Sequence, residues 1–427
     1  MILNYIWIGF FVVGFIIALI RLTGYYFRDF FQQALNIVFD QADRDVFQAI
    51  VDSTFQNAET AVNISIYLIG VMTLWLGIMK IGEKGGAVGG MSKLVGPFFN
   101  RLFPDLPRNH PAIGSMLMNI CANMLGLDNA ATPLGLKAMK DLQDANKNSD
   151  TASDSMIMFI VLNTSGLTII PISILAMRAA CNAQDPTDVF VPLLIATYVS
   201  TLAGLLYVSF VQRIKLYQPV ILAYILGITA FIGGMIWYLH TLTPEKVSAF
   251  SGTAGNFLLF LIIILFLFLG IRKKVNLYET FIEGAKEGFA VAIKIIPYLV
   301  AMLVAIGVFR ASGAMEFLLS GLEKFFALFG LNTDFVDALP VAFMKPLSGS
   351  GARGLMVETM NTYGADSFPG FLSCLFQGST ETTFYTVAVY YGAVNINKTR
   401  YTVAGGLFAD LAGIIAAIFV AYLFYQG

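Results

Sequence analysis

Charge is scarce in this chain: Asp, Glu, Lys and Arg make up 12% of its 427 residues, and the net charge is −1. Such a balance offers no basic surface, so no nucleic-acid partner is expected. Histidine is rarer still. Only His110 and His240 occur, far apart, which argues against a zinc site built on imidazole. Cys121, Cys181 and Cys374 are scattered without metal or redox spacing and read as packing residues. No Ser–His, Cys–His or metal arrangement converges, so no enzyme, catalytic residue, cofactor or resident metal is expected. The N-terminus lacks a basic n-region and a small-residue cleavage site, so its apolar stretch is expected to stay as a helix.

Apolar residues fill this space. They form 57% of the chain, and the mean hydropathy is +0.74, values of an all-α polytopic membrane protein whose first partner is the lipid bilayer. Runs near twenty apolar residues predict crossing helices at 3–21, 59–80, 155–177, 189–211, 219–239, 256–271, 289–309, 369–392 and 401–424. Segment 22–57 mixes aromatics with Arg28, Asp29, Asp40, Asp43, Arg44, Asp45 and Asp52, and reads as an amphipathic connector outside the hydrocarbon. Stretches 87–103 and 314–329 alternate apolar and charged residues at helical spacing and are expected along the interface.

Two stretches, 111–145 and 336–363, have apolar arms too short to span and polar, Gly-rich tips. Each reads as a re-entrant hairpin, the alternative being two tilted helices with a loop. Polar residues also interrupt the helices that follow, at Asn163-Thr164-Ser165 and at Gln377–Thr383. Lipid cannot satisfy a freed backbone group, so such breaks survive only against protein or a polar cavity. Paired breaks in two halves of a membrane chain point to a transporter's binding site.

Lys and Arg mark cytoplasmic loops. Placing Arg213, Lys215, Arg272, Lys273, Lys274 and Lys286 inside puts Lys80, Lys84, Arg101, Arg108, Lys137, Lys140, Lys147, Lys398 and Arg400 inside as well. The N-terminus is then cytoplasmic and the C-terminus outside. The chain divides into 1–58, a first helix and connector; 59–215, a first copy; 216–283, a linking helix pair; and 284–427, a second copy. Both copies run helix, interfacial helix, hairpin, broken helix, helix, and the hairpins enter from opposite sides. This is an inverted repeat with two re-entrant hairpins and two broken helices.

The motifs carry a resemblance. Leu76-Gly77-Ile78-Met79-Lys80-Ile81, Leu102-Phe103-Pro104-Asp105, His110-Pro111-Ala112 and Asn129-Ala130-Ala131-Thr132-Pro133-Leu134-Gly135 resemble the spore maturation A proteins. Ile306-Gly307-Val308-Phe309-Arg310-Ala311-Ser312-Gly313-Ala314, the stretch from Lys345 to Gly354, Gln377–Thr383 and Ala409-Asp410-Leu411-Ala412-Gly413 resemble the spore maturation B proteins. The chain thus looks like a fusion of the two. The resemblance places it in the nucleoside-recognition, or gate-domain, group, similar to concentrative nucleoside transporters and to the membrane part of ferrous iron transporter B. It implies two opposed hairpins and two unwound helices meeting at mid-membrane. It transfers a fold better than a substrate, because the hairpin signatures of nucleoside transporters are not reproduced.

The residues expected to bind a solute are Asn129 and Thr132 at the first tip, Asn163, Thr164 and Ser165 at the first break, Ser348, Ser350 and Arg353 in the second hairpin, and Gln377, Ser379 and Thr380 at the second break. Ser, Thr and Asn also bond membrane helices together, so these positions have a packing reading beside the binding one. Glu381, Thr382 and Asp410 are candidates for a coupling Na+ or H+. Arg353 either pairs with Glu381 or holds an anionic solute, and Lys345 either joins the site or snorkels to the interface. Gly349-Ser350-Gly351-Ala352-Arg353-Gly354 matches a dinucleotide fingerprint in spelling only, and its glycines are expected to give a tight tip with positive φ. The leading expectation is a secondary transporter of a small polar solute, nucleoside-like by resemblance, working by alternating access in the inner (cytoplasmic) membrane. The alternative is a non-transporting membrane scaffold or sensor, and a homo-oligomer is compatible with either.

Overall fold

A computed structural model describes residues 2–107, 110–126, 128–146, 150–242 and 244–425. The protein is an all-α polytopic membrane protein; among the described residues the only β feature is an isolated bridge between Thr151 and Lys398. The helices are α1 (Ile2–Tyr26), α2 (Arg28–Leu35), α3 (Gln41–Arg44), α4 (Val46–Gly85), α5 (Ala87–Phe99), α6 (Pro111–Met124), α7 (Asp128–Asp144), α8 (Asp154–Ser165), α9 (Ile172–Ala180) and α10 (Phe190–Gln212). There follow α11 (Pro219–His240), α12 (Pro244–Arg272), α13 (Leu277–Ala311), α14 (Ala314–Ala327), α15 (Leu339–Met344), α16 (Gly349–Tyr363), α17 (Phe368–Gly378), α18 (Thr383–Gly392) and α19 (Thr402–Phe424). Stretches of α1, α4, α10, α11, α12, α13 and α19 are long and apolar enough to cross a membrane. The expected crossings at 155–177 and 369–392 are each a pair of half-helices, α8 with α9 and α17 with α18.

One element order occurs twice, in α4 to α10 and in α13 to α19: long helix, short helix, hairpin, broken helix, long helix. The long helices pair antiparallel across the two stretches. Gly288 sits against the Met72 carbonyl, Gly284 against that of Leu76, and Gly307 against Asn57, so α13 descends where α4 rises. Likewise the Ser200 hydroxyl donates to the Ala409 carbonyl at 3.0 Å, while Gly405 faces Tyr207. Glycine at these crossings lets backbone meet backbone, the small-residue packing that replaces a hydrophobic drive in lipid. Around this core α1 lies beside α13, with the Trp7 indole N–H donating to the Ala301 carbonyl at 2.9 Å and Phe10 against Phe309.

Two loop clasps join the halves at opposite ends of α10 and α19. At one end, the Asn397 and Lys398 N–H groups donate to the Asp150 carbonyl and Ala152 N–H donates to the Lys398 carbonyl, each at 3.0 Å. There Arg400 reaches Asp154 at 2.7 Å, and Gln212 donates to the Asp154 carbonyl. At the other end, the fully buried Arg178 donates to the Ala365 carbonyl at 2.9 Å and pairs with Asp188 at 2.8 Å and Asp366 at 3.3 Å. Each clasp links a loop before a broken helix of one half to the loop after the broken helix of the other. A buried arginine with three such partners recovers its desolvation cost only while all three stay in place.

Several expectations need correction. Segment 22–57 is mostly helical, in α2, α3 and the start of α4; α4 runs 40 residues from Val46 to Gly85, and α13 begins at Leu277. Of the polar side chains after Val46, Ser53 and Asn57 lie against Gly307 of α13, while Asp52, Gln56 and Glu59 are exposed. The breaks lie later than expected. Asn163, Thr164 and Ser165 close α8, and the unwound stretch is 166–171; Gln377 and Gly378 close α17, and the unwound stretch is 379–382. Gly166 at φ +56 stops α8, and Pro171 has no N–H to continue it. Gly349, Gly351 and Gly354 are helical and have no positive φ. They serve close approach instead, since a Cβ on Gly354 would lie 2.7 Å from Met302 and one on Gly349 would lie 2.7 Å from the Thr382 hydroxyl.

Two outcomes follow from this packing. Gly288→Ala should destabilise the protein by about 1–3 kcal/mol through overpacking at the α4–α13 crossing. Gly227→Ala, with open space around it, should be neutral or mildly stabilising in the same thermal unfolding measurement in detergent. At the first clasp, the hydrogen bond from Lys398, then that from Thr151, holds the Asp150 carboxyl below its ordinary value of 3.8. A carboxylate lowered in the fold stabilises above its unfolded pKa and loses that contribution as pH falls through the folded one. The stability difference between wild type and Lys398→Met should therefore shrink as the pH is taken below about 4.

Candidate functional site

The two unwound stretches touch. The Glu381 N–H donates to the Thr164 carbonyl at 2.8 Å, so an open donor of the second break satisfies an open acceptor at the first. Each hairpin tip adds an equivalent bond to the break that follows it. The Ile169 N–H donates to the Met124 carbonyl at 2.7 Å, and the Phe384 N–H donates to the Pro346 carbonyl at 3.1 Å. Each hairpin also starts and ends at one level of the bundle: Ser115 donates to Asp141 at 2.6 Å in the first, and Tyr363 donates to Asp337 at 3.0 Å in the second.

A cavity of about 110 Å³ lies at this junction. Its wall takes Lys80 and Glu83 from α4, Glu287 from α13, Asn123 and Gly126 from the first tip, and Thr168 with 170–174 from the first break. The second half supplies Lys345, Arg353, Gln377, Gly378, Thr380 and Glu381. Lys80 is paired with Glu287 at 3.0 Å and Glu83 at 3.4 Å. Lys345 is 5% exposed and lies on the cavity, so it does not snorkel to the surface. Arg353 makes no pair with Glu381 and has no hydrogen bond or ion pair among the described residues; its Nε is buried without a partner. The Gln377 Oε1 is likewise buried and without a partner. An unpartnered buried polar atom costs about 1–3 kcal/mol, and two such atoms belong to residues on this one wall.

Of the residues expected to bind a solute, Arg353, Gln377 and Thr380 line the cavity, and so does Glu381 from the coupling set. The others divide into supports. Asn163 accepts from the Asn123 amide at 2.9 Å and donates to the Phe159 carbonyl, so it orients a wall residue without reaching the space. The Thr164 and Ser165 hydroxyls turn back onto Val161 and Leu162 carbonyls, and Ser379 onto that of Phe376. Ser348 caps α16 through the Gly351 N–H at 3.0 Å, with Ser350 beside it, and Thr382 packs against Gly349. Thr132 lies inside α7 instead of at the tip, and Asn129 is in the first turn of that helix with its side chain outside the described residues. Asp410 is 2% exposed, accepts from the Thr383 hydroxyl at 2.7 Å, and keeps Oδ1 without a partner.

Sequence reasoning missed Asn123, Lys80, Glu83 and Glu287. A signal existed for the first: Asn119 and Asn123, four apart, set two amides on one face of an apolar arm. Lys80 and Glu83 are three apart at the end of an apolar run, but Glu287 joins them only through the antiparallel crossing.

The gate family model, described as nucleoside recognition, matches residues 65–180 and 292–397, which contain both hairpins and both breaks. The chain is 43% identical over 159 residues to spore maturation protein A of Bacillus subtilis (strain 168), covering 37% of this chain and 81% of that protein. It is 46% identical over 156 residues to spore maturation protein B of the same organism, covering 36% of this chain and 86% of that one.

Gly166 is the tightest local constraint of the junction. A Cβ there would adopt φ +56 and lie 3.0 Å from Glu381 Cγ and 3.1 Å from Glu381 N. Gly166→Ala should lower stability by about 1–2 kcal/mol from the left-handed backbone alone. Gly166→Asn should cost less on the backbone term, because Asn tolerates that conformation; thermal unfolding of both variants checks the order.

Proposed function

Because the chain belongs to the gate, or nucleoside-recognition, family, we propose that it is a secondary transporter that moves a small polar solute through the cavity between its two breaks. The observation that carries this reading is the backbone bond from Glu381 to Thr164, which joins the unwound segments of the two halves at the cavity wall. We read the two halves as an inverted repeat and the two hairpins as re-entrant, one opening to each side. Among the described residues each tip is tied to its own break by one backbone bond, worth about 1 kcal/mol net, with the Asn123–Asn163 bond added at the first, so withdrawing one tip is a small change compared with moving a whole helix. Alternating access then consists of one tip leaving while the other stays.

The end that carries Lys80, Lys84, Arg213, Lys398 and Arg400 is assigned to the cytoplasm of the inner membrane, with the C-terminus outside. A nucleoside or related metabolite is the solute suggested by the family description. Coupling falls to Na+ or H+, with Asp410 the first candidate because it is a carboxylate with an open oxygen beside a break. A homo-oligomer is compatible with this reading.

Uptake into proteoliposomes tests the reading. Wild type should take up at least one member of a nucleoside and small-metabolite panel, and Gln377→Ala should reduce that uptake about tenfold while eluting as the same species in detergent. A folded wild-type protein that neither accumulates nor binds any panel member would leave the scaffold reading in its place.

A further inference from the structure

Resting on that transport reading, we infer that the solute is a small organic anion that also carries N–H or O–H donors, and that Arg353 is the residue which selects the anionic group. Every other cation on the cavity wall is engaged. Lys80 is held by Glu83 and Glu287, and Lys345 interacts with Asp410. Arg353 alone is without a partner: it lines the cavity and makes no hydrogen bond, ion pair or cation–π contact among the described residues. A guanidinium within a membrane bundle is costly and is kept where it faces a partner, and its planar fork suits carboxylate or phosphoryl oxygens.

Two further features agree. Ile172, Ser173 and Ile174 line the same cavity and are the first residues of α9, so the positive end of that helix is turned toward the space. Opposite in character are Gln377, 4% exposed with its Oε1 unpartnered, and the Glu381 carboxylate, which makes no ion pair among the described residues. Gln377 is buried and Glu381 exposed, and both bring acceptor oxygens to the wall. A neutral nucleoside answers these two and leaves the arginine unmet. A carboxylate or phosphoryl compound with amine, amide or hydroxyl groups answers all three.

The test compares neutral and anionic partners on the full-length protein. Adenosine, adenosine 5′-monophosphate, L-aspartate and succinate are each measured by thermal shift in detergent and by uptake into proteoliposomes. At least one anion should bind about tenfold or more tightly than adenosine, the range expected of a charge-assisted pair. The monophosphate separates phosphoryl from carboxylate recognition, and aspartate against succinate reports the amine donor. Arg353→Gln should remove the preference for the anion, and Arg353→Lys should restore part of it, which a merely structural role for the side chain would not reproduce. If Arg353→Gln fails to fold, the wild-type ranking alone decides. Adenosine bound or transported at least as well as every anion overturns the inference and leaves the transport reading standing. Absence of binding and uptake for all four and for the wider nucleoside panel removes both.

Discussion

Backbone groups inside a membrane have no water to turn to, and this constraint shapes the whole centre of the protein. Unwinding a helix across 166–171 and another across 379–382 frees several donors and acceptors at once. The fold answers by bringing the openings together. The first break receives a bond from the second through Thr164, and each break gives one to the tip of its own hairpin, at Met124 and Pro346. None of the four segments is satisfied by itself. Their mutual dependence explains why a short tip, a glycine at positive φ and a proline without a donor occur together in one place.

The long helices set the distances that make this meeting possible. Antiparallel packing of α4 on α13 and of α10 on α19 carries the two halves in opposite directions past each other. A break near the middle of one half then lies opposite the break of the other. The clasps at the two ends, one around Asp150 and Asp154 and one around Arg178, fix the ends of α10 and α19 while the tips between them are held by few bonds.

The polar wall has an internal logic of charge. Lys80 is surrounded by its own carboxylates, and Arg178 and Arg310 are held by Asp188 and Glu358 at other sites. Against that background Arg353 is the exception. It lines the cavity with its Nε unpartnered, while the other arginines named here are each held by a carboxylate.

Much of this was written in the order of residues. Runs of apolar side chains determined the membrane class and the seven long helices, since bilayer thickness allows little else. Gly-rich and polar interruptions in two matching places marked the regions of α6–α7 and α15–α16 and lie beside the two unwound stretches, and among their residues Arg353, Gln377, Thr380 and Glu381 line the cavity. What the sequence could not decide was which polar residue turns inward. Asn163, Thr164, Ser165 and Ser379 look as apt for binding as Gln377, yet each finds a carbonyl of its own helix within reach and bonds there. Asn123, Glu83 and Glu287 meet Arg353 at one cavity only after α4, α6, α13 and α16 have packed. Composition and spacing determine where backbone must be left open, because that is a local matter of glycine, proline and chain length. Which side chains remain without a partner is a sum over all neighbours, and only the tertiary structure performs it.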